Sequence, residues 1–334
     1  MDIQEVARLA KVSTATVSRV LNDSPRVRPA TTQHVKRVIE RLNYVPNTSA
    51  RNLRVGRTKL FGLIVSDIKN PFFPELIDGF GAMATGHGID VIFSHTNYDP
   101  GQFDHCLRRM IERNVDGIAA MTSEVDMAAL ERAKKSKVPL VLLNQKTLDR
   151  RFDNIGVDYS KGFQQAVEHL QALGHRDIAF IAGPAGFSSA QRRHQAFLSG
   201  LKKCGLSIRK EWVFSGDLHV EGGHAAMQKL LRSSPRPTAV ISTNDLMAVG
   251  ALQAAQQAGA FVPRDISIIG FDDLPICTMV FPQLTTISLS RHEIAACAFS
   301  LLFKASNPTT TIKARSRNIS PTLQVRDSTG PAAK

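Results

Sequence analysis

Short apolar stretches recur between residues 60 and 271, and a stretch with helical periodicity follows most of them. The predicted strands are Leu60–Ser66, Ile89–Ser94, Val115–Ala120, Val138–Leu143, Asp177–Ala182, Thr238–Ser242 and Ile266–Phe271. The predicted helices are Pro74–His87, Gln102–Arg113, Met127–Ser136, Ser189–Cys204, Val220–Arg232 and Leu246–Gln257. Apolar strands joined by helices indicate parallel sheets covered on both faces. This alternation of strands and helices occurs twice along the chain, which predicts an α/β core of two similar halves with a ligand cleft between them.

The first 57 residues differ from this core in charge. They contain 11 Lys or Arg and 4 Asp or Glu, whereas the whole chain contains 42 and 29 and has a net charge of +13. Lys and Arg gain free energy by displacing counterions from phosphate groups. A small basic head on a nearly neutral body therefore indicates that nucleic-acid contact lies at the N-terminus.

The head has the pattern of short helices. Asp2 and Glu5 fit a capping arrangement at the start of the first helix, and Ser13 is placed to cap the second, residues 14–21. Pro29 suits the first turn of a third helix. The turn between the first two helices spans about three residues, which is typical of a helix-turn-helix.

Composition and the N-terminus exclude several classes of protein. No apolar run reaches the roughly 20 residues that a membrane helix needs, so no membrane partner is expected. The opening segment Met1–Glu5 lacks the basic and apolar regions of a signal peptide. Four cysteines without close pairing predict reduced thiols in a cytoplasmic protein, and they are Cys106, Cys204, Cys277 and Cys297.

The core carries no motif of a catalytic or cofactor site. It has no phosphate loop, no glycine-rich dinucleotide fingerprint after the first strand, and no nucleophile elbow. The ten histidines are scattered without the spacing of a metal site. We therefore expect a protein that binds without catalysis, with no catalytic residue, no cofactor and no metal.

Several motifs together carry a resemblance to a known family. The segment Ile3–Asn22 resembles the helix-turn-helix signature of the lactose-repressor (LacI/GalR) family. The similarity continues through Leu42–Asn47, Ala50–Leu53, Asn70–Phe73, Gly174–His175, Pro237–Val240 and Ile269–Asp273. The resemblance implies an all-α helix-turn-helix head on a two-subdomain core, similar to periplasmic binding proteins, with parallel sheets.

The resemblance also implies the division of the chain. The DNA-binding head covers residues 1–45, a hinge helix or linker covers 46–57, and the effector-binding and dimerisation core covers 58–330. Within the core, we expect an N-subdomain of residues 58–158 plus 290–317. The C-subdomain then comprises residues 159–289 plus 318–330.

By the same resemblance, the second helix of the head enters the major groove of DNA. Thr14, Ala15 and Arg19 match the positions that select bases. A guanidinium at this place suits guanine O6 and N7, whereas the Ala15 methyl offers only an apolar contact. The positions that match phosphate-positioning groups, which orient without specifying sequence, are Ser13, Thr16 and Asn22.

The segment 46–57 has two interpretations from its residues, a linker or a stretch that folds only on DNA. The resemblance favours the second. Leu53 matches a hinge leucine that wedges into a central base step from the minor groove. Arg54 is expected to add a minor-groove or phosphate contact.

The resemblance also predicts an effector cleft lined by Asn70, Phe72, Phe73, Ser123, Ser189, Arg193, Asn244 and Asp272. An arginine fork beside a carboxylate suits a hydroxyl-rich ligand, because the guanidinium donates and the carboxylate accepts. Two alternatives stay open. Phe72 and Phe73 are also compatible with an ordinary apolar core, and Arg193 with Asp272 are compatible with a salt bridge that binds no ligand.

Departures from the family pattern narrow the ligand class. Phe187 and Leu218 stand where a purine-responsive relative has an arginine and a stacking aromatic residue. Asn144 replaces an aspartate of many relatives, and Arg192 adds a second cation near Arg193. These differences argue against a purine and favour a monosaccharide or a sugar acid.

The sequence therefore predicts a repressor that binds a pseudo-palindromic double-stranded DNA operator as a homodimer, with a tetramer as the larger possibility. A small sugar or sugar acid would control it. The same DNA-binding role under a protein corepressor or a non-sugar ligand is the alternative. The basic head argues against a sugar-binding transport or sensory protein, and the missing motifs argue against an enzyme. The effector, the operator, the regulated genes and the sign of the response stay open.

Overall fold

The chain divides into two units, Met1–Thr58 and Lys59–Lys334. A computed structural model describes residues 2–21, 23–44, 57–143, 152–306 and 316–333. None of the helices in these ranges combines the length and the apolarity that a bilayer crossing requires.

Three short helices form the described part of the first unit: α1 (Ile3–Leu9), α2 (Thr14–Leu21) and α3 (Pro29–Arg41). Asp2 Oδ1 accepts the amide of Glu5 at 2.9 Å, and Ser13 Oγ accepts the amide of Thr16 at 3.2 Å. Both caps are as the sequence predicted, because these side chains satisfy amides that have no partner within the helix. The helices enclose a small core of Val6, Ala7, Ala10, Val17, Val20, Val35 and Val38.

The second unit contains two sheets with helices on both faces. Its first half comprises β1 (Leu60–Val65), α4 (Phe72–Gly86), β2 (Asp90–His95), α5 (Pro100–Glu112), β3 (Gly117–Met121), α6 (Met127–Ser136), β4 (Leu140–Leu143) and β5 (Asp153–Val157). The second half comprises α7 (Tyr159–Ala172), β6 (Ile178–Ala182), α8 (Ser188–Lys203), β7 (Val213–Ser215), α9 (Val220–Leu231), β8 (Ala239–Ser242), α10 (Asp245–Gln257), β9 (Ser267–Asp272), α11 (Ile276–Met279) and β10 (Thr285–Ser288). The chain then continues through α12 (Arg291–Ala305), β11 (Ser316–Ile319) and β12 (Thr322–Gln324).

The first sheet has the strand order β11-β5-β4-β3-β1-β2, and the second has β12-β10-β9-β8-β6-β7. All pairs are parallel except β10 with β12, which is antiparallel. Helices on both faces bury the inner strands β1, β3, β4, β6, β8 and β9, as their apolar runs predicted, whereas the edge strands stay partly exposed. The carboxyl ends of the strands are therefore the edges where a ligand site is expected.

Most element boundaries differ from the sequence prediction by one or two residues, and two of the differences have an evident structural cause. Helix α4 begins at Phe72 instead of Pro74, because Asn70 Oδ1 accepts the Phe72 amide at 3.0 Å and starts the first turn. Strand β11 continues to Ile319, beyond the expected boundary at residue 317, because its pairing with β5 extends to Ile319 opposite Val157. The chain therefore crosses to the second sheet just before β12.

Candidate functional site

Helix α2 presents an exposed polar face on the first unit. Thr14, Ala15 and Arg19 are exposed, whereas Val17 and Val20 on the opposite face are buried in the three-helix core. The core therefore fixes the direction in which the predicted base-selecting side chains point. This exposed face is the candidate nucleic-acid interface.

The predicted phosphate-positioning residues differ in what the structure shows. Ser13 is exposed, and its hydroxyl lies 3.0 Å from that of Thr16, so this pair already stabilises the start of α2. Asn22, Leu53 and Arg54 lie outside the described residues. Their predicted DNA contacts stay predictions.

A cleft of about 630 Å³, including its open mouth, lies between the two halves of the second unit. Its lining residues are Ser66, Asn70, Phe72, Phe73, Tyr98, Met121, Thr122, Ser123, Leu143, Val157, Tyr159, Ser189, Arg193, Leu218, Thr243, Asn244, Asp272 and Leu289. All eight residues predicted to line an effector cleft are among them. Several stand at or just after the carboxyl ends of β1, β3, β8 and β9, where ligands bind in folds of this kind.

Arg193, on α8, is the main cation of the cleft. Its Nη1 donates to the backbone carbonyl of Thr243 at 2.7 Å, and its Nη2 donates to Asp272 Oδ1 at 3.0 Å. The guanidinium carbon lies 4.1 Å from the ring centroid of Phe271 and 5.3 Å from that of Tyr159. Hydrogen bonds and aromatic faces together hold the fork in one orientation.

Asp272, at the end of β9, is buried and has an unusual backbone conformation. Its φ angle is +118°, which few residues other than glycine adopt. Burial raises the pKa of its carboxyl to about 7, and the nearby Asp245 acts in the same direction, whereas Arg193 opposes the shift. Strained, buried ionisable groups of this kind cluster at functional sites.

Two of the predicted polar contacts also serve the fold. The Asn244 amide donates to the carbonyl of Leu218 at 2.8 Å and accepts from the amide of Met247 at 3.0 Å, so it caps α10. Asn70 Oδ1 is engaged with the Phe72 amide at the start of α4. These hydrogen bonds hold both asparagines at the cleft wall.

The apolar wall contains residues that the sequence prediction missed. Phe72 and Phe73 both line the cleft, although both are mostly buried, and their rings meet edge to face with centroids 5.3 Å apart. Tyr98 and Tyr159 add two further aromatic rings to the wall. The sequence offered no signal for either tyrosine, because each reaches the cleft only through the tertiary arrangement of the halves.

Two contacts outside the lining connect the halves. Glu124, after β3, accepts the amide of Ser188 at 2.9 Å and so binds the start of α8. Arg291, at the start of α12, donates to Glu75 Oε2 at 2.5 Å and to the carbonyl of Asp272 at 2.6 Å. A change at Asp272 is therefore connected directly to α4 of the first half.

The described residues contain no group of three His, Cys, Asp or Glu side chains that is placed to hold a metal ion. The cleft instead offers a charged fork, a carboxylate, hydroxyls and aromatic walls. This set can bind a polar ring from several sides, because it combines donors, acceptors and apolar faces.

Two family profiles match the chain. The profile described as bacterial regulatory proteins, lacI family, matches residues 2–47. The profile described as periplasmic binding protein-like domain matches residues 167–329. The first match covers the three helices of the first unit, and the second covers most of the half that contains Arg193 and Asp272.

Individual relatives match over nearly the full length. Catabolite control protein A of Priestia megaterium is 37% identical over 309 residues, which are 92% of this chain and 93% of the relative. The transcriptional regulator CelR in complex with cellobiose is 28% identical, with a TM-score of 0.73 and coverage of 98% and 99%. The lac repressor dimer bound to operator and the anti-inducer ONPF is 25% identical, with a TM-score of 0.87 and coverage of 99% of both chains.

Proposed function

Because the chain belongs to the lacI family of bacterial regulatory proteins, we propose that it represses transcription by binding an operator as a dimer and responding to a small ligand. The observation that carries this proposal is the pairing of an exposed α2 face with a charged cleft in the same chain. A regulator needs both, one to bind DNA and one to bind the signal. Because its partner is DNA, we place it in the cytoplasm.

Helix α2 supports the DNA-binding part of the proposal. Arg19 is exposed on a short helix whose other face is fixed by Val17 and Val20. A guanidinium held in this way can donate two hydrogen bonds to one guanine. The net positive charge of residues 1–57 supplies the attraction to phosphate that is independent of sequence.

The cleft supports a sugar or a sugar acid as the effector. Arg193 donates and Asp272 accepts, which suits adjacent hydroxyls or a ring oxygen. Tyr98, Tyr159 and Phe72 offer apolar faces for the carbons of such a ring. CelR, one of the similar structures, was solved with cellobiose.

The dimer is supported by an exposed apolar segment in the second half. Met279, the last residue of α11, and Phe281, two residues later, are 77% and 94% exposed. Side chains this apolar favour a partner surface, and a second copy of the chain satisfies the two-fold symmetry of a pseudo-palindrome. The similar lac repressor was solved as a dimer on its operator.

We expect Phe281→Arg to shift the chain toward a monomer, because a charge would replace the most exposed aromatic ring of the proposed interface. Sedimentation velocity at several protein concentrations measures the change. Met127→Arg is the matched control, since Met127 is 53% exposed on α6 in the other half. If both variants sediment as the wild type does, Phe281 lies outside the dimer interface.

The proposal as a whole is tested by selecting binding sites for the full chain from random duplex DNA. Recovery of a pseudo-palindromic sequence, bound about a thousandfold more tightly than random DNA, is the expected result. Recovery of no sequence preference would contradict it. Titration of the protein–DNA complex with sugars, sugar acids, sugar phosphates and purines then identifies the effector class. A response to none of them would favour a protein corepressor.

A further inference from the structure

The turn between β2 and α5 places one aromatic ring in the cleft through an unusual backbone. Asn97 and Tyr98 are consecutive residues with φ angles of +49° and +62°. Asparagine tolerates this left-handed conformation, but a bulky tyrosine adopts it rarely. The turn is held by a hydrogen bond from the Asp99 amide to the Thr96 carbonyl at 3.0 Å. A strained residue held in this way at a cleft points to a function for its side chain.

Tyr98 reaches across the cleft to the other half. Its ring lies parallel to that of Phe187, with centroids 4.8 Å apart and planes 20° apart. Phe187 directly precedes α8, whereas Tyr98 follows β2, so the stack joins the two halves. Tyr98 packs against the large core that both halves share and also against the separate core of the second half.

The two rings have different places relative to the cleft. Tyr98 lines the cleft, and Phe187 does not. Phe187 therefore backs the tyrosine and holds it in position without being part of the wall itself. The ring that a ligand would meet is Tyr98, and the stack behind it closes that side.

The phenol end of Tyr98 lies close to the charged groups of the cleft. It lies near Asn70 and interacts electrostatically with Asp67, Asp272 and Arg193. Burial and the two carboxylates raise the pKa of Tyr98, so its hydroxyl keeps its proton and remains a hydrogen-bond donor. A ligand ring bound by Arg193 and Asp272 would therefore have Tyr98 as its neighbour.

We propose that Tyr98, held by its stack on Phe187, limits the cleft to ligands of one sugar ring. This inference rests on the proposed sugar effector and narrows the class of effectors from sugars in general to sugars with a single ring. A second ring on the Tyr98 side of the cleft would meet this ring, which the stack on Phe187 holds in place. Tyr98 is thus a specificity-determining residue, and Phe187 is a positioning residue that acts through it.

The test compares matched pairs of one-ring and two-ring sugars. The probes are D-glucose with cellobiose, D-galactose with lactose, and galacturonic acid with digalacturonic acid. Dissociation constants are measured by calorimetry for the wild type, Tyr98→Ala, Phe187→Ala and Tyr98→Phe. The phenylalanine variant is the matched control, because it keeps the stacked ring and removes only the hydroxyl. Circular dichroism confirms that each variant is folded.

The wild type is expected to prefer the one-ring member of the pair that it binds. In Tyr98→Ala, the ratio of the two dissociation constants should move toward the two-ring sugar by about tenfold, a typical effect of reshaping a binding pocket. Phe187→Ala should move it in the same direction by less, and Tyr98→Phe should keep the wild-type ratio.

An unchanged ratio in folded Tyr98→Ala, or a wild type that binds a two-ring sugar as tightly as its one-ring partner, would overturn the inference. If no sugar binds any variant, the inference falls together with the sugar effector. Operator binding by the same preparations then shows separately whether the regulator function stands.

Discussion

The Arg193→Met protein should lose its response to ligands of the cleft and become less stable at neutral pH. Methionine keeps a long apolar stem against Phe271 but removes the hydrogen bonds to Thr243 and Asp272. A charge-assisted hydrogen bond contributes about 1.5–3 kcal/mol, so ligand affinity should fall by about a hundredfold. Thermal shift and calorimetry with the ligand that the wild type binds measure this loss.

Stability gives this variant a second signature. Burial raises the pKa of Asp272 to about 7, even though the neighbouring Arg193 lowers it. Removal of Arg193 therefore raises the pKa of Asp272 further. When the pKa of a carboxyl is higher in the folded than in the unfolded protein, the free energy of unfolding falls as the pH rises from the unfolded to the folded pKa. The variant should therefore be close to the wild type at about pH 5 and roughly 3 kcal/mol less stable at pH 8, where a buried carboxylate lacks its partner. Urea unfolding at both pH values measures it.

Arg192→Met is the matched control for Arg193→Met. Arg192 is the neighbouring arginine on α8, and it does not line the cleft. The control should keep the ligand response of the wild type. If both variants respond to ligand equally, or if Arg193→Met retains full affinity, Arg193 forms only a structural salt bridge with Asp272.

The Arg19→Ala protein should lose about 10- to 100-fold of its operator affinity and almost none of its affinity for random DNA. A bidentate arginine contact to guanine contributes about 1–3 kcal/mol of discrimination, whereas phosphate contacts act on every sequence alike. Arg19 is exposed, so its removal should leave the stability of the three-helix core unchanged. Gel-shift titrations on the selected operator and on a scrambled duplex measure the two affinities.

Arg8→Ala is the matched control on α1, where Arg8 pairs with Glu5 at the surface. It should leave the preference for the operator unchanged. Equal loss on both duplexes in Arg19→Ala would identify Arg19 as a phosphate contact. That result would also require a different residue of α2 to select bases.

The sequence was informative where local signals were strong. The predicted family and the fold class are confirmed, and helix α6 and the first residue of α9 were predicted to the residue. Those helices begin at clear capping or turn positions, and most predicted strands were continuous apolar runs. These features depend on residues that are close together in the chain, so they can be recognised from the sequence alone.

Other elements lacked such signals. Strand β10, Thr285–Ser288, is rich in threonine, and β7 has only three residues. Helix α12, Arg291–Ala305, is apolar on most faces because it packs against α4 and the first sheet. It therefore shows little of the one-sided periodicity that predicts a helix.

The residues of the cleft also divide into those that the sequence predicted and those that it did not. Arg193 and Asp272 were found through motifs of a known family, and the structure places them in contact. Tyr98 was missed because its segment resembles an ordinary turn, and its partner Phe187 belongs to the other half. No local pattern predicts contacts that exist only after two halves have come together.

In the proposed regulator, ligand in the cleft and operator on α2 are energetically coupled. The most direct measurement is the operator dissociation constant of the wild type and of Arg193→Met, each without ligand and with ligand at a concentration just sufficient to saturate the wild type. We expect a change of at least about fivefold in the wild type, in either direction, and none in the variant. An operator affinity that is the same with and without bound ligand in the wild type would show that the two sites are not coupled.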